Sequence, residues 1–168
     1  MSHEGNTLAL DLAGNVGWAI HIASTNEILS GDRSVKRFIG KKGRKTIPDE
    51  PDEHKGIIFG NMHKLLRELI APWNIKTIVL EKAMARSGGT SYDTTTQQRG
   101  LAAFVWWHAW HHDIPVIEDY ASTSIKLSWT GSGRAQKPDM VAIARKAGFR
   151  VNSDDEADAI AILNHHLG

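Results

Sequence analysis

The sequence predicts an α/β protein with a mixed five-stranded sheet flanked by helices, and three observations carry that expectation. Compact apolar runs of strand length occur at Leu8–Leu12, Ile75–Leu80 and Ile114–Ile117. Between them, apolar residues recur at helical spacing, as in Ile58, Met62, Leu65, Leu66 and Leu69. The chain also changes character along its length: strand-like segments joined by turns come first, and strands alternating with helices follow.

Leu8-Ala9-Leu10-Asp11-Leu12 reads as a buried strand, and Gly14-Asn15 as the turn that leads to a second strand over Gly17–Ile22. Ser34–Ile39, where small or charged residues alternate with apolar ones, is expected to be the third strand of an antiparallel meander. Gly40 to Pro51 carries Lys41, Lys42, Arg44 and Lys45 and reads as a solvated hairpin tip, with contact to DNA phosphates as the alternative. Asp52 is placed to cap a helix that runs to Pro72. A buried strand, Ile75–Leu80, then ends in Glu81.

The Gly-, Ser- and Thr-rich stretch Arg86–Thr96 is expected to be a loop, and Thr95–His112 a helix. Phe104, Val105, Trp106, Trp107 and Trp110 leave that helix apolar around most of its circumference, which implies burial on more than one side. Ile114–Ile117 supplies a fifth strand. Ser122–Trp129 and Lys137–Ala147 read as short helices around Gly131-Ser132-Gly133, and Asp154–His166 as a terminal helix with Ala159, Ile160, Ile162 and Leu163 inward. No internal repeat or linker divides the chain, so residues 1–168 are expected to form one domain.

Composition narrows the function classes. With 41% hydrophobic and 23% charged residues the chain reads as globular, and 168 residues suffice for a sizeable core. No apolar run approaches the ~20 residues needed to span a bilayer. The polar start, Met1 to Asn6, carries no secretion pattern. The absence of cysteine excludes disulfides, thiolate metal sites and a cysteine nucleophile. Twenty Lys+Arg against 19 Asp+Glu make net charge uninformative, so the placement of charge matters more.

Four acids stand out by placement. Asp11 interrupts an apolar strand, Glu81 ends another, and Asp155 and Asp158 lie three apart in the first turn of the last helix and so share a face. Acids at a helix start can simply complement the helix dipole, worth a few tenths to about 1 kcal/mol. A carboxylate within an apolar strand is costly unless something positive compensates it. Four of them converging from distant segments would repel one another unless divalent cations lay between them. Oxygen donors select Mg²⁺, with Mn²⁺ able to substitute. Two such ions about 4 Å apart are the usual arrangement for in-line phosphodiester cleavage, one activating water and the other stabilising the leaving oxygen. Asp154 can reach the same helical face; the preferred assignment makes Asp155 the ligand and Asp154 the N-cap.

These residues are similar to a known family. Leu10-Asp11-Leu12-Ala13-Gly14-Asn15-Val16-Gly17-Trp18, Val79-Leu80-Glu81-Lys82, Gln97-Gln98-Arg99-Gly100 and Asp155-Glu156-Ala157-Asp158-Ala159-Ile160-Ala161-Ile162 resemble, in order and spacing, the RuvC family of Holliday junction resolvases. The terminal Asp-x-x-Asp-Ala-hydrophobic-Ala stretch is the most specific match. The family commonly has Pro after the first Asp, where this chain has Leu12-Ala13.

The resemblance implies an RNase H-like fold, with Asp11, Glu81, Asp155 and Asp158 as catalytic ligands of two metal ions. It implies that Lys126 and Lys137 are cations that contact DNA or the transition state, Lys137 being the catalytic one. Met84 stands where the family places an aromatic wedge. Arg86 and Tyr92 in the neighbouring loop, and Arg99 beyond it, are expected to contact DNA, although loops of this composition also serve as plain linkers.

The expected activity is a cytoplasmic, nucleoid-associated crossover junction endonuclease of recombination and repair, or one of the host cytoplasm if virally encoded. It would act as a homodimer on branched DNA by paired symmetric nicks, with the Phe104–Trp110 segment partly in the interface. A branch-migration motor is a further partner the family pattern leaves open. The alternatives are an RNase H-like nuclease acting on flaps or RNA–DNA hybrids, and a catalytically silent binder of branched DNA.

Overall fold

A computed structural model describes residues 5–36, 53–82 and 92–168. Its elements are β1 (Asn6–Asp11), β2 (Asn15–Ile22), β3 (Glu27–Ser34), α1 (Glu53–Ile70), β4 (Ile75–Glu81), α2 (Tyr92–His111), β5 (Val116–Tyr120), α3 (Ser122–Thr130), α4 (Lys137–Lys146) and α5 (Asp154–Leu167). The strands form one sheet in the order β3-β2-β1-β4-β5. β1 pairs antiparallel with β2 and parallel with β4, and β5 joins β4 in parallel, so the expected mixed five-stranded sheet is present.

The alternation of side chains along the strands divides the interior into two layers. Leu8 and Leu10 of β1 and Ile78 and Leu80 of β4 are buried with Met62, Leu65 and Leu66 of α1 and Leu101 and Val105 of α2. Ala9 and Val79 point to the other face and are buried with Ile125 of α3, Met140 of α4 and Ile160 and Leu163 of α5. Asp11 and Glu81, each two residues beyond one of that second set, therefore fall on the face that α5 covers.

The third strand differs from its expected position. β3 runs over Glu27–Ser34, and Ser34 pairs with Asn15 at its far end, so residues 37–39 lie outside the described residues. The segment Glu-Ile-Leu-Ser-Gly-Asp-Arg-Ser is polar because it is an edge strand with only part of its surface covered. Its glycine has a packing reason: a Cβ on Gly31 would lie 2.7 Å from the Trp18 ring. The turn before it places Asn26 at φ 59°, and the Asn26 side chain hydrogen-bonds the His21 ring at 2.9 Å.

Other boundaries shift modestly. α2 begins at Tyr92, so the end of the expected loop is helical, and β5 begins at Val116 and runs on to Tyr120. α2 buries only one face within the chain; Trp106, Trp107 and Trp110 are 47%, 51% and 73% exposed. Among the described residues the expected burial on several sides is therefore not met, because the neighbouring elements cover the face that carries Leu101, Ala102, Val105, His108 and Ala109.

Candidate active site

Asp11 and Glu81 each follow directly on the Leu10–Leu80 pair of the parallel β1–β4 ladder. Neighbouring strands are spaced about 4.8 Å apart, so these two carboxylates come together at one end of the sheet. On the other side, Asp11 pairs with Gly17 of β2. The start of α5 crosses the sheet at this point: a Cβ on Gly17 would lie 1.9 Å from the carbonyl oxygen of Asp155. The absent side chain lets the α5 N-terminus descend beside Asp11. Gly17→Ala should accordingly destabilise the protein by about 3 kcal/mol, the upper range for forcing atoms into a packed interior, read as a lowered urea midpoint.

Local chemistry fixes where α5 starts. Ser153 is the N-cap, its side chain accepting from the Glu156 amide at 3.1 Å. This corrects the assignment of Asp154 to the cap. Asp154 is the first helical residue, and its carboxylate pairs with the Lys137 ammonium. That hydrogen bond holds Asp154 below the usual carboxylate range and raises Lys137 above the usual ammonium value. Glu156, buried at 2% exposure, turns inward to accept from the Ser30 hydroxyl (2.8 Å) and the Asn152 amide (2.9 Å), tying α5 to β3.

Asp155 accepts a 2.9 Å hydrogen bond from the Asn15 side-chain amide, which also donates to Asp32 at 2.7 Å. Asn15, Ser30 and Glu156 are positioning residues that the sequence reading did not single out. Ser153-x-x-Glu156 was the one available signal, a capping-box pattern.

The electrostatics show that the four acids are neighbours. Burial, then the charges of Asp158, Glu81 and Asp155, push the Asp11 carboxyl well above the usual carboxylate range, with Lys137 opposing. Burial likewise raises Asp158 to about 6, against the pull of Lys137 and Lys126 and with Glu81 and Asp154 adding to the rise. Asp158 Oδ1 is buried and has no hydrogen-bond partner among the described residues.

An orphaned carboxylate oxygen beside a second acid that resists ionisation suits a hard cation, so the donor set fits the divalent metal expected from sequence. Among the described residues no three such groups are drawn close enough to hold an ion between them. The acids stand as neighbours and not as a closed cage, and Asp155 is held by Asn15.

Of the remaining expected site residues, Lys137 opens α4 and Lys126 lies on α3, both within electrostatic reach of Asp158. Arg99 is exposed on α2, and Tyr92 is that helix's first residue. Met84 and Arg86 lie outside the described residues, as do Asp52 and the basic stretch from residue 40 to 51. Among the described residues no helix is long and apolar enough to cross a membrane.

A mixed sheet of this order, with acids at the ends of its two central strands and a helix start laid across them, is an RNase H-like fold. No family model matches the chain. The crossover junction endodeoxyribonuclease RuvC of Anaeromyxobacter sp. strain K is 43% identical over 72 residues, 42% of this chain and 37% of that protein. The RuvC of Anaeromyxobacter dehalogenans strain 2CP-1 matches to the same extent. The matched stretch therefore spans little more than a third of those relatives.

In fold, the structure of Thermus thermophilus RuvC in complex with Holliday junction substrate covers 98% of this chain and 93% of that one, with TM-score 0.69 and 15% identity. Thermus thermophilus RuvC is similar over 96% and 93%, with TM-score 0.64 and 17% identity. The yeast mitochondrial Holliday junction resolvase is similar over 95% and 76%, with TM-score 0.60 and 17% identity. The chain is thus similar to RuvC proteins in sequence over 72 residues and in fold over nearly its whole length.

Proposed function

We propose that this chain is a structure-selective DNA endonuclease that resolves four-way junctions by paired symmetric nicks. The observation that carries the reading is the gathering of Asp11, Glu81, Asp155 and Asp158 at one end of the sheet, where burial and mutual repulsion raise Asp11. Those four residues would hold two Mg²⁺ or Mn²⁺ ions, whose chemistry would be to activate a water and to stabilise the leaving oxygen. Lys137, beside Asp154 and within reach of Asp155 and Asp158, neutralises charge that builds on the scissile phosphate. Lys126, Arg99, Arg86 and Tyr92 contact the DNA backbone, and Met84 presses on the junction's base pairs.

The domain spans residues 1–168 and works as a homodimer, matching a substrate with two symmetric scissile bonds. The exposed Trp106, Trp107 and Trp110 of α2 support an apolar interface of that kind. The place of action is the cytoplasm, in association with the nucleoid, or the host cytoplasm if the chain is virally encoded.

Cleavage of a labelled four-way junction in Mg²⁺, beside a flap, a plain duplex and an RNA–DNA hybrid, tests the reading. Paired nicks in the junction alone support it. Cutting of the flap or hybrid keeps the chemistry and overturns the substrate, and tight binding without cutting points to a silent accessory. Lys137→Ala should slow single-turnover cleavage about 10²-fold with little change in junction affinity, as for loss of one charge-stabilising donor. A collapse of binding would make Lys137 a phosphate anchor instead.

A further inference from the structure

One group of titratable side chains lies away from the acids. α1 ends at Ile70 and α2 at His111, and both C-terminal ends meet at the edge of the sheet where β4 and β5 begin. The acids sit where β4 finishes, a strand length of about 20 Å from there. Between the two helix ends opens a cleft of about 500 Å³ lined by His63, Arg67, Ile70, Pro72, His108 and His112. It contains three of the chain's nine histidines and no carboxylate.

The geometry points to a transition-metal site formed by His63, His108 and His112. His108, only 4% exposed, sets its Nε2 3.2 Å from Nδ1 of His63 across the two helices. A hydrogen bond accounts for that separation, and one ion shared by both nitrogens would set nearly the same one. At metal–nitrogen distances of about 2.0–2.1 Å, tetrahedral ligands lie about 3.3 Å apart. His112 follows His108 by one helical turn, and their rings stack at 5.3 Å with an interplanar angle of 11°.

Among the described residues no three donors already converge on one point. His63 and His108 stand as a hydrogen-bonded pair, and His112, exposed at the cleft's rim, would complete the site by turning about its side-chain bonds. Imidazole donors without carboxylates select zinc, cobalt, nickel or copper over magnesium, so the site is chemically distinct from the acidic one. The C-terminal ends of both helices present partial negative charge to the cleft, which favours a cation there. Arg67, also lining it, is placed to pair with an anion in the ion's remaining coordination position.

Cobalt(II) serves as the probe, with visible absorption and calorimetry as readouts and excess Mg²⁺ present to occupy the acids. The wild-type chain should take up one equivalent and develop the absorption of nitrogen-ligated cobalt. His63→Ala and His112→Ala should each weaken uptake more than about tenfold, the least that loss of even an outer-shell partner costs. His111→Ala, whose ring is bonded to the Trp107 carbonyl, should bind as wild type does. These three are used because truncating the buried His108 risks the fold itself. A wild-type chain that takes up no cobalt, or uptake unchanged in His63→Ala or His112→Ala, overturns the site and leaves the 3.2 Å contact a plain hydrogen bond.

Discussion

Asp11→Asn is expected to lower cleavage of a four-way junction on the order of 10³-fold or more, the scale seen when a central catalytic group is lost. Asp11 is the acid the other three surround: Asp158, Glu81 and Asp155 all act on its carboxyl, and Lys137 acts in the opposite sense. Asparagine keeps the shape of the side chain and removes the charge on which cation binding depends. The cations proposed to face DNA, Lys126, Lys137 and Arg99, are untouched, so junction affinity in a gel shift should stay at the wild-type level. The variant should also be at least as stable as wild type at neutral pH, because a neutral amide replaces a carboxyl whose charge is opposed first by burial and then by its acidic neighbours. Wild-type cleavage by Asp11→Asn would show that the metal centre lies elsewhere.

How much of this could be read from sequence depended on how local the cause was. Asp11 and Glu81 were legible because each breaks or ends an apolar run, an expense visible without coordinates. The α5 pair was legible through its three-residue spacing. The third strand was not, because an edge strand needs only one covered face, and Glu27–Ser34 therefore carries neither alternation nor apolar density. The cap of α5 was misassigned although Ser153-x-x-Glu156 was present, since three consecutive acids offered competing candidates.

Least legible were contacts that bring remote residues together. Asn15 reaches Asp155 over 140 positions, and Ser30 reaches Glu156 over 126. Gly17 shows how these differ from strand and helix patterns. Its glycine has no local explanation; the reason is the carbonyl of Asp155 resting where a Cβ would be.

The second large effect concerns metal and pH together. Asp11 and Asp158 bind protons more tightly in the folded chain than an ordinary carboxyl does, Asp158 titrating near 6 instead of 3.8. A folded state that holds protons more tightly is favoured in acid, so the metal-free protein should lose stability as pH rises from about 4 through 6. For the half-buried Asp158 the loss is ~2 kcal/mol once partial exposure is allowed for.

A divalent cation that takes the place of those protons should reverse the loss above pH 6 and have little to act on at pH 5. At a hundredfold excess over its dissociation constant it contributes about 2.7 kcal/mol, a rise in Tm of about 5–10 °C for a chain of this size. Asp158→Asn should flatten the pH dependence, raise the Tm of the metal-free protein at pH 7.5 and shrink the response to Mn²⁺. Thermal melts with EDTA, Mg²⁺ and Mn²⁺ at pH 5 and 7.5 measure all three effects. A Tm rise of equal size at both pH values would mean that the ion binds away from the raised carboxyls, and the assignment of Asp11 and Asp158 as its ligands would fall.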